Sequence, residues 1–143
     1  MFRIELLTWE RARAEAAPIR FKVFVEEQRV PLEIEVDALD PQCTHALAYA
    51  EDGRAVGTGR LLPDAQIGRM AVLKEWRGRG VGAAILEALI AEARRRGRAE
   101  VALSAQTHAL QFYRRFGFTP EGEVYDDAGI PHQRMRLRLR PAA

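Results

Sequence analysis

Apolar and polar residues alternate first at the amino terminus, where Phe2, Ile4 and Leu6 are interleaved with Arg3 and Glu5. That period of two predicts a half-buried strand, and Thr8 is placed to cap a helical turn after it. Pro18 suits the first position of a helix and not its interior, so a second helical piece is predicted from Pro18 to about Glu27. Its apolar residues Ile19, Val23 and Phe24 share one face, and Pro31 ends it. Leu32 to Pro41 carries Glu33, Glu35, Asp37 and Asp40 and reads as an acidic, irregular segment. Its two readings are a solvated loop and a negative rim for a cationic substrate. His45 to Glu51 and Arg54 to Leu62 read as strands joined by a tight Asp52-Gly53 turn. Pro63-Asp64 turns the chain into a further strand, Ile67 to Val72. The period then changes to that of a helix from Gly80 to Arg96, with Val81, Ile85, Ala88 and Leu89 on one face and Gly97 just past its end. Glu100 to Ser104 is the next strand, and Thr107 to Phe116 a shorter helix stopped at Gly117. Phe118 to Tyr125 and Pro131 to Arg140 form a hairpin about Asp126 to Gly129. In its second arm Met135, Leu137 and Leu139 alternate with arginines, giving one buried and one basic face. The order β, αα, βββ, α, β, α, ββ predicts one α/β domain over residues 1–143.

Composition narrows the class. The 143 residues are 48% hydrophobic and 29% charged, as expected of a globular chain with a real core. No run approaches the roughly 18 apolar residues of a membrane span, and Met1 to Leu7 has no secretory pattern, so neither a membrane nor export is expected. Cys43 is the single cysteine, which rules out an internal disulfide and favours a cytoplasmic setting. With 22 basic against 20 acidic residues the net charge is +2, so no nucleic-acid partner is expected. The Arg94-Arg95-Arg96 run fits a helix carboxyl end better than a nucleic-acid patch. The histidines have no ligand spacing with Cys43 or a carboxylate pair, so no metal is expected.

The organising stretch is Met70 to Gly82. Gly78, Gly80 and Gly82 remove side chains where a strand hands over to the long helix, and they leave the first-turn N–H groups free to converge at the positive end of the helix dipole. Such a surface binds phosphate without a cationic side chain. Gly78 to Ala83 also fits a dinucleotide fingerprint, but Leu73 to Arg77 separate it from its strand, and Glu100 stands at the wrong end of the next one. A phosphate loop of the Gly-Lys-Ser/Thr kind is absent.

Arg77-Gly78-Arg79-Gly80-Val81-Gly82 resembles the R/Q-x-x-G-x-G/A motif with which the GNAT (GCN5-related N-acetyltransferase) superfamily holds the pyrophosphate of coenzyme A. Phe112-Tyr113-Arg114-Arg115-Phe116-Gly117-Phe118 resembles that superfamily's F-Y-x-x-x-G-F helix. Val23 to Gln28 and Asp127 to His132 point to its ElaA/YjcF-like subgroup. The resemblance implies a mixed, mostly antiparallel seven-stranded sheet flanked by about four helices, with splayed central strands. It also implies direct transfer of an acetyl group from acetyl-CoA to a small-molecule or protein amine, by a monomer or homodimer.

By the same resemblance Met70, Ala71 and Val72 lie along the pantetheine arm, with an N–H near Val72 available to the thioester oxygen. Gln106 is either a cofactor contact or a helix cap. Tyr113 is the expected proton donor to the leaving thiolate, since a phenol is protonated at neutral pH. The base is open. Where many relatives carry a glutamate this chain has Gln66, which leaves His132 as first choice, with Glu27, Glu26, His45 or a water relay behind it. His108 is expected to face solvent, and Cys43 to fill space. Two other readings stay open: a coenzyme A-sensing domain without catalysis, and transfer of another acyl group or to another nucleophile.

Overall fold

Seven strands form one sheet in the order β1-β2-β3-β4-β5-β7-β6. They are β1 (Phe2–Thr8), β2 (Thr44–Ala50), β3 (Ala55–Leu61), β4 (Gln66–Val72), β5 (Glu100–Gln106), β6 (Thr119–Asp127) and β7 (Ile130–Arg138). Every neighbouring pair is antiparallel except β4 and β5, which run parallel. The structure is a computed structural model that describes residues 2–35 and 37–140. The expected mixed seven-stranded sheet is therefore the observed one. Within the acidic stretch, Val36 and the side chains of Glu33 and Ile34 lie outside the described residues.

Helices cover both faces. Helix α1 (Trp9–Arg20) lays Ala12, Ala16 and Ile19 on Leu47, Tyr49 and Ala71. Helix α3 (Val81–Arg95) covers the other face with Val81, Ile85, Leu86, Leu89, Ile90 and Ala93. Alternation along β2 feeds both cores, since Ala46, Ala48 and Ala50 face α3 while Leu47 and Tyr49 face α1. Close approach of α3 depends on Gly57 and Gly59, where an added Cβ would come within 2.9 and 2.8 Å of Ile85. Nothing in the sequence pattern reveals that requirement.

The helical partition differs from expectation at Pro18. It starts no second helix but lies inside α1. The chain continues without a break into a π-helical stretch, Phe21–Glu27. Lacking an N–H, Pro18 removes one rung, and the Phe21 amide reaches both the Ala17 and Pro18 carbonyls. Beyond it the ladder widens, with the Gln28 amide 3.0 Å from the Val23 carbonyl. The rod thus ends with Phe24, Glu27 and Gln28 on the wall of a cleft. Leu32–Glu35 forms a short helix α2 in place of irregular chain, and Leu110–Arg114 forms α4 after a 3-10 turn at Thr107–Ala109.

Candidate active site

Strand β4 carries an extra residue. Its pairing with β3 steps from Thr58↔Ala71 to Arg60↔Gly68, so two residues of β4, Arg69 and Met70, oppose one of β3, Gly59. Arg69, inside this bulge, takes a left-handed backbone with φ 48°. A bulge bends its strand and raises the local twist. On the other side β4 pairs with β5 only at Gln66↔Ala102 and Ile67↔Leu103, whereas β5 stays paired with β7 as far as Gln106↔His132. A gap therefore opens between the two parallel strands. The Leu73 amide bonds the Val56 carbonyl of β3 at 2.9 Å, so alternation turns the main-chain groups of Val72 and Met70 toward the gap.

The glycine loop lies at the same end. Gly78 and Gly80 have φ of 76° and 84°, and a Cβ at either would meet nothing within 4 Å. The first main-chain bond of α3 runs from the Ala84 amide to the Gly80 carbonyl, 3.0 Å. Residues 77 to 80 make a turn, but among the described residues no amide of residues 78 to 83 meets a main-chain turn or cap acceptor at hydrogen-bonding distance and angle. Open space, free donors and the positive end of a 15-residue helix coincide, an arrangement that fits a pyrophosphate.

Gap and loop line one cleft of about 1080 Å³. Met70, Ala71, Val72, Arg77, Gly78, Gly80, Val81, Gly82, Gln106, Tyr113, His132 and Glu27 all border it. Arg79 does not, and its guanidinium lies 4.8 Å over the Trp76 ring. Tyr113 donates its hydroxyl to the Met70 Sδ at 3.8 Å, and burial pushes its pKa up to about 12. His132 Nδ1 is 2.7 Å from the Ile130 carbonyl. A carbonyl only accepts, so Nδ1 carries a proton, and in the neutral ring the lone pair is on Nε2. Glu27 makes a bidentate pair with Arg77, at 2.6 and 2.8 Å, and that hydrogen bonding holds its carboxyl below the ordinary value. Gln106 forms no side-chain cap; its amide exchanges hydrogen bonds with Gln28 and meets His108 Nε2 at 2.6 Å. Of the remaining base candidates, Glu26 is exposed and His45 is buried, and neither borders the cleft.

A family model for the acetyltransferase (GNAT) domain matches residues 12–139. The chain belongs to the GNAT acetyltransferase family. Within it, the chain is 40% identical to the uncharacterized N-acetyltransferase YjcF of Bacillus subtilis, over 88% of this chain and 92% of that one. The crystal structure of Escherichia coli ElaA superposes with a TM-score of 0.84 at 30% identity, covering 95% of this chain and 99% of that one. An acyl-CoA N-acyltransferase from Pseudomonas aeruginosa gives 0.85 at 31% identity, covering 95% and 99%. These support the ElaA/YjcF-like subgroup and an acyltransferase that takes acyl-CoA as cosubstrate.

This GNAT domain holds one feature that sequence reasoning missed. In the acidic segment Glu35, Asp37 and Asp40 form neither a solvated loop nor a negative rim. Arg20 Nε donates to Glu35 at 2.6 Å, and its two terminal nitrogens donate to Asp40 at 2.9 and 3.0 Å. Arg60 bonds Asp40 at 2.8 Å and Asp37 at 2.7 Å, and Arg69 reaches the same Asp37 oxygen at 3.4 Å. Arg20, Glu35, Asp40 and Arg60 are all buried. The arginines that neutralise these acids lie on α1, β3 and β4, far away in sequence. The only local hint was that Arg20 and Arg60 interrupt otherwise apolar faces.

Proposed function

We propose that this GNAT enzyme transfers the acetyl group of acetyl-CoA to a primary amine by direct attack within a ternary complex. The observation that carries this reading is the free main-chain donors of residues 78 to 83 beside a parted strand pair. Acetyl-CoA, when bound, supplies an activated acyl group on a thioester. The chain's own part is then to hold the diphosphate on the loop amides, and the pantetheine arm on the gap-facing groups of Met70 and Val72. The Val72 N–H is suited to a carbonyl oxygen, and such a donor contributes roughly 3 kcal/mol when negative charge develops there.

Proton movements are assigned to side chains on the cleft wall. Tyr113, kept protonated by burial, gives its proton to the departing sulfur. His132 Nε2 accepts the amine proton. Glu27 is the weaker candidate while Arg77 holds it ionised, and Gln66, whose amide donates to Asp64 at 2.8 Å, is no base at all. Cys43 is buried and donates to the Leu39 carbonyl, so it serves as packing.

The test is thiol release from acetyl-CoA across a panel of amines. Saturable, amine-dependent release is expected. Tight coenzyme A binding without amine-dependent release would overturn the transfer reading and favour a sensor.

A further inference from the structure

The ion pairs below the cleft form a single alternating series: Glu35, Arg20, Asp40, Arg60, Asp37, Arg69. It starts on the short helix α2 and ends on the β4 bulge. Its last link, at 3.4 Å, is the longest, since the others run from 2.6 to 2.9 Å. Glu35, Asp37 and Asp40 are thus already matched by guanidinium groups, and they offer little attraction to a polyamine or a lysine-rich peptide. At the cleft itself two guanidinium groups stand beside Glu35, whose charge Arg20 already meets. Arg60 and Arg69 both border it, and the Arg69 side chain remains 29% exposed there. The Arg60 Nε–H is buried and meets no acceptor.

Charge around Arg69 points the same way. Burial, and then the positive charges of Arg60 and Arg20, depress its proton affinity ahead of any opposing effect of Asp37 and Glu35. The guanidinium stays charged regardless. Position adds to chemistry. Arg69 and Met70, whose sulfur receives the Tyr113 hydroxyl, border the same cleft, so an anion held by Arg69 shares that cleft with the reacting end of the gap. Phe24, Val30, Leu62 and Ile67 add an apolar wall.

We propose that the acceptor is a compact amine bearing its own carboxylate, of amino-acid type, and that Arg69, backed by Arg60, binds that carboxylate. This deepens the N-acetyltransferase reading and rests on it. A guanidinium fork matches a carboxylate in geometry as well as charge, and an amide in the same place loses the charge-assisted bonds.

The experiment compares L-leucine with L-leucinamide, and both with spermidine, by thiol release from acetyl-CoA. The comparison is weighted against the proposal. A free carboxylate raises the pKa of the neighbouring amine, leaving less of the neutral nucleophile at a given pH. Even so, kcat/KM for leucine is expected to exceed that for leucinamide by about tenfold or more. The substitution Arg69→Asn, chosen because asparagine tolerates a left-handed backbone, should bring the acid-to-amide ratio close to one, chiefly through KM. A leucinamide or spermidine preference in the unaltered protein overturns the proposal whether or not the variant folds. So does an undiminished ratio in a folded variant. If none of the amines elicits thiol release, the acetyl-transfer reading falls and takes this inference with it. Release with equal rates for acid and amide removes this inference alone.

Discussion

Arg77 reaches across the mouth of the cleft and grips Glu27, 50 residues earlier in the chain, with both terminal nitrogens, while its Nε donates to the Val72 carbonyl at 3.0 Å. One side chain thereby links the cofactor loop, the gap edge of β4 and the end of the π-helical stretch. The pair is 40% and 38% exposed, so water screens it, and its share of global stability is about 0–1 kcal/mol. Its consequence is local order. Arg77→Ala should leave the melting temperature nearly unchanged while weakening coenzyme A binding by about threefold to tenfold, measured by calorimetry. A large loss of stability with unaltered affinity would show that Arg77 is structural only.

Tyr113→Phe removes the hydroxyl and keeps the ring that packs edge-on against Phe112 and Phe118. Turnover should fall by about a hundredfold with coenzyme A affinity almost unaltered. Because burial pushes this phenol to about 12, the native enzyme should show no loss of rate from Tyr113 up to about pH 10. An unchanged kcat in the variant would remove the hydroxyl from the proton-donor role.

His132 and Glu27 are distinguishable by substitution. His132→Gln should lower the amine-dependent rate by about a hundredfold, and Glu27→Gln by far less, because the Glu27 carboxylate is already engaged by Arg77. Steady-state rates with one amine at saturating acetyl-CoA decide this. The reverse order would transfer the base role to Glu27.

Gly80 and Gly82 separate strain from space. At Gly80 a side chain meets open space but must accept φ 84°. Gly80→Val should therefore cost about 1–2 kcal/mol in stability and weaken coenzyme A binding by about tenfold or more, since its bulk enters the phosphate cradle. At Gly82 an added methyl meets the Phe112 ring at an ordinary 3.6 Å with no positive φ. Gly82→Ala should hold or raise the melting temperature. Chemical denaturation and calorimetry on both variants check the contrast.

The sheet was legible because its signals are local, alternation in β1 and β7 and turn residues such as Asp52-Gly53, Pro63-Asp64 and Asp126 to Gly129 between the others. The cleft was legible for the same reason, since the Gly78-to-Gly82 spacing and the Phe112–Tyr113 pair are contiguous. What escaped depended on partners distant in the chain. Pro18 read as a helix start because its missing N–H is a local fact, whereas packing of Ala12, Ala16 and Ile19 on β2 holds the rod together through it. The acidic segment read as solvent-facing because its arginines lie on three other elements. Gly57 and Gly59 read as ordinary strand residues, and only the approach of α3 explains them.

The buried series beneath the cleft should set the acid limit of stability. Burial pushes the Asp40 carboxyl up, but hydrogen bonds and charge from Arg20 and Arg60 outweigh this and hold it below its ordinary 3.8. The unfolded chain therefore takes the proton first, so this contribution is complete above about pH 4 and is lost as pH falls through the depressed native value. His45 acts earlier. Burial lowers its pKa from 6.5, the native ring stays neutral against the Asp40 carbonyl, and stability begins to fall below about pH 6.5, where the unfolded chain gains a proton that the native ring refuses. Thermal melts from about pH 8 to pH 3 should show both declines. His45→Gln should remove the upper one. Asp40→Asn should cost about 3–5 kcal/mol at neutral pH, by leaving Arg20 and Arg60 short of a carboxylate, and should flatten the lower decline in part, Asp37 supplying the rest. A melting temperature constant down to pH 3 would mean that these groups carry no such linkage.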